Sequence, residues 1–330
     1  MKPVIWLMAA LALASVTPAA QSRTILQLAT MAPAGSVWDR HLKEMITAWQ
    51  KPKTATIRIF PGGALGDEKK IVMDMRRARP SPHVAALTAV GLAEVDDAFD
   101  VFGTPFLFNS YAELNHVLDR MRPVLAKRLE DKGLVHLAWG HVGWARVFST
   151  KPVRTLADLR QLRIWTSGDQ QMQDWYRSNG FSNIVTSTMP EITIALSTGK
   201  IEALPASPTV LNAFQWYKDT KFMLDLGLAP IIGAVVMARP TWEALSEADR
   251  KLFMDAARDT EQKLNAAIPA QDQGAIDELV KRGLITVTRP EGSDWQTVAQ
   301  SLAKSMQGSA GEIYAQVVRE RDAFRQKKQP

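Results

Sequence analysis

No cysteine occurs among the 330 residues. That excludes a disulfide framework, Cys-based zinc or iron–sulfur sites and thiol catalysis. Histidine is scarce as well, with five residues at His41, His83, His116, His136 and His141. None has an HExxH or HxxxH partner, so a metal centre has no sequence support. His136 and His141 flank Trp139-Gly140 and read as structural or pocket-polar groups. No GxSxG is present, which removes a hydrolase nucleophile elbow. The glycine-rich stretch Pro61-Gly62-Gly63-Ala64-Leu65-Gly66-Asp67 lacks both GxGxxG and a phosphate-loop lysine, so it reads as a turn opening a helix. The acidic pairs Asp96-Asp97 and Glu247/Asp249 fall in loop or capping contexts. A basic stripe with interleaved aromatics is also missing, although Lys+Arg exceed Asp+Glu by 40 to 34. Nucleic acid is therefore a poor partner. No internal repeat, low-complexity tract or Gly/Ser linker interrupts the chain.

What is present is core-forming material and tryptophan. Apolar residues make up 46% of the chain, and ten are Trp. The length suggests about two domains of ~100–200 residues each. Lys2, the uninterrupted apolar run Val4–Ala14 and the small-residue region Thr17–Gln21 have the layout of a secretory signal peptide. The run is well short of the ~20 residues a membrane-spanning helix needs. Cleavage after Ala20 removes residues 1–20, and no cysteine follows to carry a lipid. No second run reaches spanning length, so the mature chain is expected to be exported and soluble.

Strand-like runs at Ile25–Leu28, Thr54–Phe60, His83–Leu87, Val135–Trp139 and Ala145–Ser149 alternate with helical stretches. The helices are expected at Val37–Gln50, from Gly66-Asp67 to Ala78, and at Ala112–Lys132 with an interruption near Pro123. Strands and helices alternate again from Leu162 to Ser207. This pattern predicts an α/β architecture with mostly parallel sheets. The strongest single signal is Ser246–Gly283, opened by a Ser246/Asp249 capping box and stopped by glycine. Pro269 should kink or divide it. Unkinked, it would reach about 55 Å, longer than one lobe, and so should brace two. Trp295–Met306 and Glu312–Arg325 read as closing helices.

Several motifs, in order, carry a resemblance. Pro61-x-Gly63-x-Leu65-Gly66-Asp67-Glu68 is similar to a "PxGxLGGE" strand-turn-helix. Thr104-Pro105-Phe106-Leu107-Phe108 resembles "LPFLF". Gly143-Trp144-Ala145-Arg146 with Phe148-Ser149 resembles "NGFRxFT", and Thr155–Ile164 resembles "TPEDLKGLKIR". Glu191–Glu202 is similar to "SEVYTALQTGVVD". Together, across about residues 25–285, they resemble the extracytoplasmic solute-binding subunits of TRAP-type (tripartite, ATP-independent) secondary transporters.

The resemblance implies an α/β, two-lobed periplasmic binding protein fold with hinge strands and a long lobe-spanning helix. The expected organisation is residues 24–142 plus 231–272 for lobe I and 143–230 plus 273–330 for lobe II. It implies a non-enzymatic periplasmic transport protein without cofactor or metal, partnered by a small-molecule ligand and membrane transporter subunits. It also implies a departure. The family clamps small organic acids with an Arg in the "KIR" segment, and here that position is Trp165. Arg offers a charged, bidentate fork, whereas Trp offers a large apolar face and one N–H. The polar "QENP" segment is replaced by Leu204-Pro205-Ala206-Ser207-Pro208. Both changes point to an apolar or weakly acidic ligand. A branch resembling this one has a periplasmic tetratricopeptide-type partner.

The candidate ligand-binding residues are Trp165, Arg146, Met31, Phe106, Trp144, Ser207 and Trp216. Trp165 follows a strand, and open α/β sheets bind ligands at strand C-terminal ends. Met31, Phe106 and Trp144 sit at loop or strand ends facing the expected cleft. Arg146 is either a ligand contact, restoring a small organic acid as ligand, or a structural ion pair. Trp216 and Tyr217 are either pocket or second-lobe core. Trp38, Trp49, Trp139, Trp175, Trp242 and Trp295 read as mostly structural. A periplasmic enzyme or a scaffold on the same fold are the remaining alternatives.

Overall fold

The computed structural model describes residues 24–166, 170–306 and 310–327. The expected leader, 1–20, and the expected helix start at Ser167-Gly168-Asp169 lie outside the described residues. In chain order the strands are β1 (Thr24–Thr30), β2 (Ala55–Phe60), β3 (Val84–Thr88), β4 (Leu134–Trp144) and β5 (Arg146–Ser149). They continue with β6 (Ile164–Thr166), β7 (Ile184–Thr186), β8 (Ala203–Ala206), β9 (Phe222–Leu224), β10 (Pro230–Ala238) and β11 (Thr286–Thr288). One sheet has the order β2-β1-β3-β10-β4 and the other β11-β9-β5-β8-β6-β7.

Each sheet is mostly parallel, as expected, and carries one reversed strand. In the first, β10 runs against both β3 and β4. In the second, β5 runs against β8 and β9. The cause is connectivity. The chain leaves the first lobe along β4 and β5 and returns along β9 and β10, and a chain that goes out and back beside itself lays those strands antiparallel. The crossings are stitched where they meet: the Ala145 N–H donates to Ala229 C=O at 2.8 Å, and the Leu228 N–H donates to Ala145 C=O at 2.8 Å. Strand β4 runs five residues past the predicted Trp139, because β10 supplies ladder partners out to Trp144.

The first sheet buries both faces, as period-two alternation shows. Ala85, Leu87, Ile232, Ala234 and Val236 face one core cluster. Val84, Ala86, Val235 and Met237 face the other. On the second face lie the helix Val37–Trp49 and the 35-residue helix Glu247–Lys281. Trp49 and Phe253 stack there with ring centroids 4.4 Å apart and both side chains wholly buried. Further along the long helix, Leu279 joins the core of the second lobe, so the helix does brace both lobes.

That helix starts at Ser246, whose hydroxyl accepts from the Asp249 N–H at 3.1 Å. It ends at Gly283, where φ is 65° and the Leu284 N–H reaches back to Leu279 C=O. It is not divided at Pro269, nor is Tyr111–Asp131 divided at Pro123. Each proline forgoes one backbone bond, and fully buried neighbours (Leu264 and Ile268, Met121 and Leu125) hold the helices continuous by packing. The closing helix Gly311–Lys327 packs on the first lobe, not the second as the expected boundaries had it. Ala310, Ile313 and Val317 enter the first-lobe core, and Arg325 bonds the buried Glu113 on Tyr111–Asp131.

Phe253→Ala should remove the stacked partner of Trp49 and leave a cavity between two helices. The expected loss is about 3–5 kcal/mol of unfolding free energy, read from urea denaturation.

Candidate functional site

A cavity of about 280 Å³ lies between the lobes. Thr30, Met31, Trp38 and Thr88 form its first-lobe wall. Trp165, Leu204, Val210, Phe214 and Trp216 form its second-lobe wall. Ala145, Ala229 and Ile231 of the crossings and Ile268 of the long helix close the remaining side. Among the described residues, no Asp, Glu, Lys, Arg or His lines it.

The polar groups that do line it are mostly committed. The indole N–H of Trp38 donates to His141 C=O at 2.8 Å, that of Trp165 to Ser187 C=O at 3.0 Å, and that of Trp216 to Thr193 Oγ1 at 2.9 Å. The Thr88 hydroxyl donates to Glu68, and the Thr209 hydroxyl to Asp272. Ser207 donates to Val142 C=O at 2.9 Å and caps the following helix by accepting from the Val210 N–H. Thr30 and Ser36 accept backbone N–H bonds, and their own hydroxyl protons have no acceptor among the described residues. The cavity thus presents aromatic and aliphatic faces with two spare weak donors.

Of the predicted site residues, Met31, Trp165, Ser207 and Trp216 come together on this cavity. Trp165 reaches it because strand alternation turns Ile164 to the opposite core and Trp165 inward. Three others do not line it. Arg146 bonds Asp225 at 2.9 Å, an ion pair beside the crossing. Trp144 packs edge-on against Tyr111 with centroids 5.2 Å apart. Phe106 projects into the second lobe, its N–H donating to Leu228 C=O at 2.7 Å.

Trp38 was read as structural and instead forms part of the wall. Its amphipathic helix position hides this, since the space it occupies exists only because two distant glycines leave it. A Cβ on Gly140 would sit 2.6 Å from the Trp38 ring, and one on Gly233 3.3 Å. Thr209, Val210 and Phe214 were also missed. They follow the altered segment at Leu204–Pro208, which was the available signal.

Behind the cavity sits the hinge lock. Asp272 of the long helix is buried and accepts from the Trp144 N–H at 2.7 Å, the Thr209 N–H at 3.1 Å and hydroxyl, and the Tyr111 hydroxyl at 3.4 Å. Burial raises its pKa above 3.8 despite those bonds. Gly143 adjoins it at φ 129°, where a Cβ would lie 2.3 Å from Ser207 Cβ. Only glycine fits there. His141 lies against Tyr111 with ring centroids 4.6 Å apart, and neither of its ring nitrogens is bonded. Burial lowers its pKa from 6.5 to about 4.

These features define the class: a two-lobed binding protein with an interlobe ligand cavity. Residues 28–309 match the family model of the bacterial extracellular solute-binding proteins, family 7. The chain belongs to that family, whose members are transport solute-binding proteins. An uncharacterized protein of Haemophilus influenzae is 25% identical over 205 residues, 61% of each chain, so the match spans under two thirds of that relative. A solute-binding protein of Verminephrobacter eiseniae is 24% identical over 70% of this chain and 69% of its own. The fold is that of the TRAP periplasmic solute-binding proteins. One from Haemophilus influenzae with bound L-gulonate matches with a TM-score of 0.83 and 20% identity, covering 91% of this chain and 99% of its own. A Bordetella pertussis extracytoplasmic solute receptor binding pyroglutamic acid also gives 0.83, at 19% identity and the same coverage.

His141 yields a pH prediction with a definite sign. A histidine whose folded pKa is depressed contributes stability that is full above 6.5 and lost as the pH falls towards 4. The raised Asp272 has the opposite slope, so the comparison is made against a variant. His141→Phe should lose about 2 kcal/mol less stability than wild type between neutral pH and the acid side of this window, measured by urea melts across pH.

Proposed function

We propose that this protein is the periplasmic subunit of a TRAP-type secondary transporter and captures an apolar or weakly acidic small molecule between its lobes. Hinge closure around the ligand would then present it to the membrane subunits. A single observation carries the ligand reading: among the described residues, the interlobe cavity has no ionisable side chain in its lining, and it keeps three indole rings there. A carboxylate held there would lose its hydration and meet no cationic side chain among the described residues, which is costly. An apolar molecule gains roughly 25 cal/mol for each Å² removed from water. Ligand binding favours closure only when both lobes contribute contacts, and Trp38 and Trp165 stand on opposite walls. The exported location rests on the family and on the leader expected at residues 1–20.

The solved relatives named above bind acids, and the alternative is that this chain does too, through Arg146. Its pairing with Asp225, away from the lining, argues against that route. Calorimetric titration with glucuronate, gulonate and small dicarboxylates should give no heat of binding, whereas an apolar probe such as N-phenylnaphthylamine should bind. Micromolar binding of a sugar acid or dicarboxylate would overturn the reading. Trp165→Ala should weaken the probe by about 2 kcal/mol, roughly thirtyfold in Kd, with an unchanged melting curve. Unchanged affinity would move Trp165 to the core.

A further inference from the structure

A second cavity, about 170 Å³, lies on the other face of the second sheet. Leu159, Tyr176, Phe181, Trp295 and Leu302 line it, so it too is apolar. The two cavities are not separate in their walls. Gly103, Ala145, Pro205 and Ala229 line both. Three of these four carry nothing beyond Cβ, and a Cβ built on Gly103 meets no atom within 4 Å. Any long side chain at this seam would fill it.

The rim of the second cavity is held under strain. Phe106 lines it with φ at 60°, a left-handed conformation that a bulky residue rarely adopts. Such strain persists only where surrounding bonds over-determine it, and it concentrates at functional positions. Here the Phe106 N–H bond to Leu228 C=O fixes it against the returning crossing. Tyr176 is also in the lining, its ring packed edge-on against Phe181 with centroids 5.1 Å apart. Burial pushes the Tyr176 pKa up to about 12.

We propose that the two cavities form one bent site for an elongated, straight-chain apolar molecule, its head between the lobes and its tail passing Gly103 into the second lobe. A straight chain is the slimmest form in which an apolar molecule could pass the small residues that the two cavities share. This rests on reading the interlobe cavity as an apolar ligand site.

The test is displacement of N-phenylnaphthylamine fluorescence by octanol, dodecanol and hexadecanol. In the wild type, affinity should rise by about threefold per methylene as the chain enters the second cavity. Gly103→Leu, at the seam, should weaken hexadecanol at least tenfold more than octanol. Ala299→Phe, at the inner wall of the second cavity, should give the same length-selective loss, which guards against a seam variant that fails to fold. Equal loss for all three alcohols, or no loss for hexadecanol in either variant, would overturn the bent site while leaving the apolar cavity standing. Failure of the probe and every alcohol to bind the wild type would instead overturn the apolar reading, and the bent site with it.

Discussion

One buried carboxylate organises the junction of the two lobes. Asp272 reaches from the bracing helix to the Trp144 amide in the outgoing crossing, to Thr209 in the second lobe and to Tyr111 in the first. Leaving any of those donors unpaired in the interior would cost about 1–3 kcal/mol, so the carboxylate holds three elements in register. The demand spreads outward. Glycine is required at 143 because the carboxylate and Ser207 occupy the space of a side chain. Ser207 is then drawn into a bond with Val142 C=O, which ties the start of the helix Pro208–Ala213 to β4. The cavity walls inherit their positions from this knot.

The chemistry of the cavity follows from the same economy. Its indole groups spend their hydrogen bonds within the protein, holding Trp38, Trp165 and Trp216 at fixed orientations. What faces the ligand is therefore ring surface and aliphatic carbon. Charge exists nearby: Arg146 and Asp225 pair with each other off the lining, and Glu68 is bonded by the N–H and hydroxyl of the wall residue Thr88. On the proposed apolar reading, such a cavity would select by shape and desolvation, with few directional contacts to reject near neighbours.

Much of this was legible in the sequence, for identifiable reasons. The long helix announced itself through caps at Ser246 and Gly283 and an unbroken apolar spacing between them. Trp165 was legible because a short strand fixes which face its second residue takes. The reversed strands were not, since β5 and β10 are short or uniformly apolar and direction leaves no trace in composition. Arg146, left open between ligand contact and ion pair, and Trp144 and Phe106 fall off the cavity lining for a related reason: proximity to a hinge is visible in sequence, but the face presented depends on partners far along the chain. Trp38 was hidden by glycines more than a hundred residues away. The return of the last helix to the first lobe depends on Arg325 and Val317 finding partners on Tyr111–Asp131, a pairing that no local pattern encodes.

The most direct measurement is identification of the small molecule that the protein carries when purified from its own host, by solvent extraction and mass spectrometry. The cavity chemistry predicts a lipophilic compound, uncharged or with a single weakly acidic group. Recovery of a sugar acid or a dicarboxylate, bound in stoichiometric amount, would contradict it.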